Sequence, residues 1–226
     1  MVRCPTCQSF IASEEALCPA CLIRAAAAAR DDEPEIDEVI ASAWRLCGVL
    51  DANQDGTIYL VERDDDGRGV QVGALHLSVH QVSMPGAAAR VDAERRRLMA
   101  LDHPAIMAVL DAGLTAAGQV FVVFEHARGR LLPAYLQARP RQAGDVEHLI
   151  DQVAAGLDYV HRADLAHGAV SPSAVLVIGD RHARRARLLN MGIKYLHAAA
   201  GLGAVPTAAD DVVGLAALRA SIRGRT

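Results

Sequence analysis

Apolar and polar residues alternate most clearly over 44–50, 57–63 and 70–78, and each stretch predicts a half-buried strand. The run Arg63-Asp-Asp-Asp-Gly-Arg-Gly69 between the last two predicts a turn. Beyond it the pattern predicts a helix near 87–101, strands near 107–112 and 119–125, and a long helix at 144–162. A loop, two short strands and a final helix complete the series. A small antiparallel sheet, one helix, more strands and then helices is an α+β order.

Composition fits a folded chain. Of 226 residues 52% are hydrophobic and 22% charged, which excludes a disordered or fibrous protein. The length suits one sizeable domain with a small appendage. A net charge of −4 offers no wholesale attraction to nucleic acid or an anionic membrane. No run approaches the roughly 20 apolar residues that span a bilayer. The opening MVRCPTC has no signal-peptide core, so a cytoplasmic location is expected.

Four of five cysteines form one pattern, Cys4-Pro-Thr-Cys7, ten residues, then Cys18-Pro-Ala-Cys21. Each C-x-x-C turn delivers two thiolates, and two turns complete a tetrahedral zinc site with no position left open for catalysis. A segment this short has too little apolar surface to fold alone, so bound zinc would supply its folding free energy. The pattern resembles a small zinc ribbon, assigned to residues 1–23. With no Lys or Arg between Cys4 and Cys21, a nucleic-acid role is not expected. Residues 24–40 read as an Ala-rich and acidic linker, with six carboxylates among the eight residues Asp31–Glu38.

Asp51-Ala-Asn53-Gln-Asp55-Gly56 through Glu62 also matches a calcium loop at several positions. The Asp/Gly run after Glu62 cannot begin the exit helix such a loop needs, so calcium binding stands only as a further alternative.

Motifs further along resemble one family, the bacterial Ser/Thr protein kinases. Glu94 and Leu98 before Leu101-Asp-His103-Pro104-Ala-Ile106 look like the family's helix C. Val122-Val-Phe124-Glu125 looks like the hinge, and His167-Gly-Ala169-Val-Ser171-Pro172-Ser173-Ala174 looks like the catalytic loop. Asn190-Met191-Gly192 resembles the opening of the activation segment, and Asp211-Val-Val-Gly-Leu the start of helix F. The resemblance implies a bilobal kinase-like domain over residues 41–226, with an N-lobe to about 125 and a C-lobe over 126–226.

The resemblance also shows departures. The family's catalytic Asp and metal-holding Asn fall on Ala169 and Ala174, the metal-holding Asp on Asn190, and the strand lysine on His76. Glu94, the lysine's partner in the family, is retained. Of the phosphate-cradling glycines only Gly56 remains. Phosphoryl transfer rests on charge neutralisation, so these losses lead to the expectation of a catalytically deficient pseudokinase, not an enzyme, acting as a regulatory or scaffolding module through protein contacts. A weak or atypical ATP-dependent Ser/Thr kinase with relocated catalytic groups is the alternative.

What the family uses for shape survives. Ile58, Ala74 and Leu176 match positions that sandwich adenine, so a purine nucleotide such as ATP could still enter an apolar slot. Leu98, Val109, His167 and Met191 match the column linking the lobes, and Asp211 matches the catalytic-loop anchor. Only eighteen residues separate Gly192 from Asp211, which implies a truncated C-lobe. The last helix is apolar on nearly every side, so residues 209–222 are expected to form a homodimer or partner interface.

Overall fold

The structure, a computed structural model, describes residues 2–3, 10–11, 38–40, 43–53, 56–64, 69–137, 143–179 and 183–223. Cys4, Cys7, Cys18 and Cys21 lie outside the described residues, as does the linker before Glu38. Two short strands, β1 (Val2–Arg3) and β2 (Phe10–Ile11), pair antiparallel with Val2 opposite Ile11. In sequence they bracket Cys4 and Cys7.

Six strands form the main sheet: β3 (Val39–Ile40), β4 (Trp44–Asn53), β5 (Gly56–Asp64), β6 (Val70–Gln81), β7 (Val109–Leu114) and β8 (Gln119–Glu125). They lie in the order β3-β4-β5-β6-β8-β7, every pair antiparallel. The sheet thus begins at Val39, inside the stretch read as linker. Period-2 burial explains β8, which is covered on both faces. Val120, Val122 and Phe124 enter the larger core, while Phe121 and Val123 join Trp44, Leu46, Tyr59, Val61, Leu75 and Leu77 on the other side.

Helix α1 (Ala87–Met99) turns Val91 and Leu98 into the larger core and packs against β7. Its outer side is tied down as well. Arg95 Nε donates to Asp111 Oδ1 at 2.9 Å, and the indole N–H of buried Trp44 donates to the other oxygen at 3.1 Å.

After β8 the chain forms β9 (Arg130–Leu131) and α2 (Leu132–Gln137), followed by α3 (Ala143–Arg162). In α3 Val146, Leu149, Ile150, Val153, Leu157 and Val160 are buried, the three-and-four spacing of an amphipathic helix. A 3₁₀ turn (Pro172–Ala174) leads into β10 (Val175–Ile178), which pairs with β9 and β11 (Arg185–Leu188). Two helices follow, α4 (Ile193–Ala199) and α5 (Ala208–Arg223).

Two expectations need correction. At the calcium-loop match the described residues lie on two paired strands: Asp51 sits in β4 opposite Ile58, and Glu62 sits in β5 opposite Arg45, with which it is ion-paired. Among the described residues no cluster of three metal-ligating side chains occurs. Strand pairing holds these residues extended, where a cation loop would fold them inward. The final helix is also less bare than its composition suggests. Asp211, Leu218 and Ile222 are buried and Leu215 packs on the core. Its exposed apolar side chains of any size are Val212 and Val213, at 64% and 69%.

Candidate active site

The loop between α3 and β10 is held from below by one carboxylate. Asp211, on the first turn of α5, is fully buried and accepts the backbone N–H groups of His167 and Gly168, each at 2.7 Å. His161 Nε2 reaches the same carboxylate at 2.8 Å. The first turn of α5 is fixed by a capping box, with the Thr207 hydroxyl and backbone N–H both on Asp210 Oδ2 at 2.8 Å.

His167 is a neutral spacer. Its Nε2 lies 2.6 Å from the Leu189 carbonyl, which only accepts, so Nε2 carries the proton. Nδ1 then accepts from Ala169 N at 3.2 Å. Burial pushes the imidazole below its ordinary pKa, and both nitrogens are already engaged by the neutral form. Tyr195 on α4 adds a second brace: its hydroxyl accepts Ala166 N at 2.9 Å, and burial raises its pKa.

Around this frame the structure places the matched positions as follows. Ala169 is exposed next to the loop's turn, and Ala174 is buried at the 3₁₀ turn. Asn190 takes a left-handed backbone, φ 64°, which Asn tolerates better than most residues. Gly192, φ 90°, cannot be replaced freely, because a Cβ there would meet Leu98 Cδ1 at 2.4 Å. The segment is therefore pressed against α1. Leu98, Val109, His167 and Met191 are all buried, and all but His167 belong to the larger core cluster.

His76 is buried on β6, and its ring lies 6.4 Å from that of His197 on α4. Helix α4 thus reaches the strand position where the resemblance puts a lysine. Gly56 is required beside it: a Cβ would come within 2.8 Å of His76 Nε2 and 2.3 Å of the Leu77 carbonyl. The Glu94 carboxylate pairs with Arg97 of its own helix, at 2.9 and 3.2 Å. Ile58 and Ala74 are half-buried on the sheet, and Leu176 is buried on β10.

Sequence reasoning missed two features. Glu125 at the end of β8 accepts Ala108 N at 2.9 Å and is ion-paired with Arg187 on β11, which also donates to the Ile106 carbonyl at 2.6 Å. This joins the hinge to the C-lobe. The other is Lys194, the single lysine of the chain. It is exposed on α4, its stem lies beside Gly168, and it makes no ion pair among the described residues.

A fold of this kind with a loop so anchored defines the protein kinase class, and comparison with known proteins agrees. The family model for protein tyrosine and serine/threonine kinases matches residues 50–195, more than half of the chain. The chain belongs to this family. Serine/threonine-protein kinase pkn2 of Myxococcus xanthus is 30% identical over 158 residues, covering 70% of this chain and 19% of that protein. Pkn3 of the same organism is 24% identical over 148 residues, 65% of this chain and 27% of that protein. The chain thus spans about a fifth to a quarter of these relatives' length. Among solved structures, the PknI kinase domain of Mycobacterium tuberculosis superimposes with a TM-score of 0.63 at 22% identity, covering 82% of this chain and 74% of that one. That likeness concerns the fold.

The expectation of a catalytically deficient, non-enzymatic scaffold is overturned by these findings, since the matched family and the named relatives are protein kinases. That expectation equated a changed side chain at a matched position with a lost activity. His76, Ala169, Ala174 and Asn190 record which groups are absent there, and transition-state charge can be met from other positions.

Family membership implies a metal-bound nucleotide. Magnesium requires a near-octahedral set of oxygens. Among the matched positions Ala169 and Ala174 offer none and Asn190 one neutral oxygen, so these positions alone do not form a metal-holding set.

Proposed function

We propose that the chain is an atypical, slow ATP-dependent serine/threonine protein kinase domain. The observation that carries this reading is the family match across both lobes, together with the catalytic-loop backbone held by Asp211. Lys194, beside Gly168 and without an ion pair among the described residues, supports a relocated cation that would offset phosphate charge. The apolar Ile58, Ala74 and Leu176 suit a purine. Incubation of the full chain with γ-labelled ATP tests this: slow incorporation into Ser or Thr is expected, reduced at least tenfold by Lys194→Ala and lowered by Asn190→Ala, with His76→Ala alongside. Incorporation no greater than in heat-killed protein would overturn it.

Two further proposals accompany this reading. Cys4, Cys7, Cys18 and Cys21 would hold one structural zinc, supported by their spacing and by the β1–β2 pair that brackets the first two; zinc-bound thiolates would suit a reducing, cytoplasmic setting. Elemental analysis is expected to give one zinc per chain, lost in Cys4→Ser. Within 209–222, the exposed Val212 and Val213 would form a homodimer or partner contact. Sedimentation at micromolar concentration, with Val213→Asp as the variant, checks it, and an unaffected monomer contradicts the homodimer.

A further inference from the structure

Helix α1 carries arginines that leave the N-terminal sheet and reach the C-lobe at two places. Arg90 Nε donates to the Ala199 carbonyl at the end of α4, at 2.8 Å. Two turns further on, Arg97 Nη2 donates to the Asp164 carbonyl at 3.1 Å. Asp164 is one of two non-glycine residues with positive φ among those described, at 53°. It stands in the turn that leaves α3 and leads straight into Leu165, Ala166 and His167, all buried. A residue held in this sparsely populated region persists only where its surroundings fix it.

The Arg97 side chain is 43% exposed, and a long side chain so exposed samples many rotamers. Glu94 restricts it. Both carboxylate oxygens take Nη1, at 2.9 and 3.2 Å, leaving Nη2 aimed at the Asp164 carbonyl. The planar guanidinium makes this coupling geometric: fixing one nitrogen fixes the direction of the next. The neighbouring Arg96 side chain is 72% exposed, pairs with Asp92 on its own helix and bonds no other element among the described residues. Direction, not charge, separates the two arginines.

We propose that Glu94 is a positioning residue that holds Arg97 as a strut between α1 and the turn opening the catalytic loop. The carboxylate that the family resemblance assigns to a strand lysine is here redeployed across the lobes. Its consequence for phosphoryl transfer rests on the kinase reading above; the strut itself does not. As an exposed ion pair the Glu94–Arg97 contact adds little global stability, so its effect is local, on opening of the 163–165 turn.

The test is amide hydrogen exchange on the full chain, comparing wild type with Glu94→Gln, Arg97→Gln, the double variant and Arg96→Gln. The Asp164 and Leu165 amides, bonded to His161 and Val160 carbonyls, report the turn. Exchange there is expected to quicken about three- to tenfold in Arg97→Gln and in Glu94→Gln. The double variant should match Arg97→Gln, and Arg96→Gln should match wild type. Unchanged exchange in Arg97→Gln overturns the strut, and so do additive effects of the two single variants. Labelled-phosphate incorporation is read in parallel. A loss in Glu94→Gln with unchanged exchange would place Glu94 at the nucleotide and overturn the proposal. No incorporation in wild type would count against the kinase reading, while exchange alone still judges the strut.

Discussion

The floor of the catalytic loop and its rim differ in how tightly chemistry binds them to the fold. On the floor Asp211, His167 and Tyr195 are buried, and each accepts one or more backbone N–H groups of the loop. On the rim Ala169 is exposed, Asn190 half-buried and Lys194 exposed; the Ala169 methyl can bond no backbone group, and the Lys194 side chain bonds none among the described residues. Burying an unpaired polar group costs about 1–3 kcal/mol, whereas exposed substitutions usually fall within about 0.5 kcal/mol. The floor is therefore held by folding itself. The rim answers only to chemistry, and its side chains can change or relocate while the frame persists.

The largest effect should come from breaking the floor. Asp211→Ala strands the N–H groups of buried His167 and half-buried Gly168 and removes the partner of His161, so a loss of about 3–5 kcal/mol is expected in urea unfolding. A loss below about 1 kcal/mol would erase the contrast with the rim.

Acid should weaken the same floor. The folded pKa of His167 lies below its unfolded value of about 6.5, so the unfolded chain binds the proton first. The contribution of His167 is fully present above pH 6.5 and declines as pH falls through the folded value. His103, also lowered by burial, adds in the same direction. Asp92 and Asp210, lowered mainly by bonds to Arg96 and Thr207, act only further down, below about pH 4. Urea midpoints measured from pH 8 to 5 should fall in wild type and much less in His167→Gln.

The smallest stability effect belongs to the rim, where the functional effect should be large. Ala169→Asp should shift unfolding by no more than about 0.5 kcal/mol. Combined with Asn190→Asp, at a φ that Asp tolerates, it should raise incorporation from ATP at least about tenfold by restoring charge the reaction can use.

The sequence makes the floor more legible than the ties between lobes. Strands β4 to β8 and helices α1 and α3 follow from sustained periodicity, and His167, Met191 and Asp211 from motifs. Helix α4 is missed because its seven residues have no period to display; its place is set by Gly192 against Leu98 and by Tyr195 beneath Ala166. Helix α2 and strand β9 are equally short. The ties Arg90–Ala199, Arg97–Asp164 and Arg187–Glu125 join residues 109, 67 and 62 positions apart, beyond any local pattern. The calcium-loop match fails differently: ligand spacing alone ignores the pairing of Glu62 in β5 with Arg45 in β4, although the alternation over 57–63 already marks a strand there.

Incorporation of γ-labelled phosphate by the full chain, with Lys194→Ala beside it, tests the central claim most directly. The account predicts slow incorporation into Ser or Thr that falls at least tenfold without Lys194. Wild-type signal equal to heat-killed protein, in a preparation whose unfolding midpoint shows it to be folded, would contradict it.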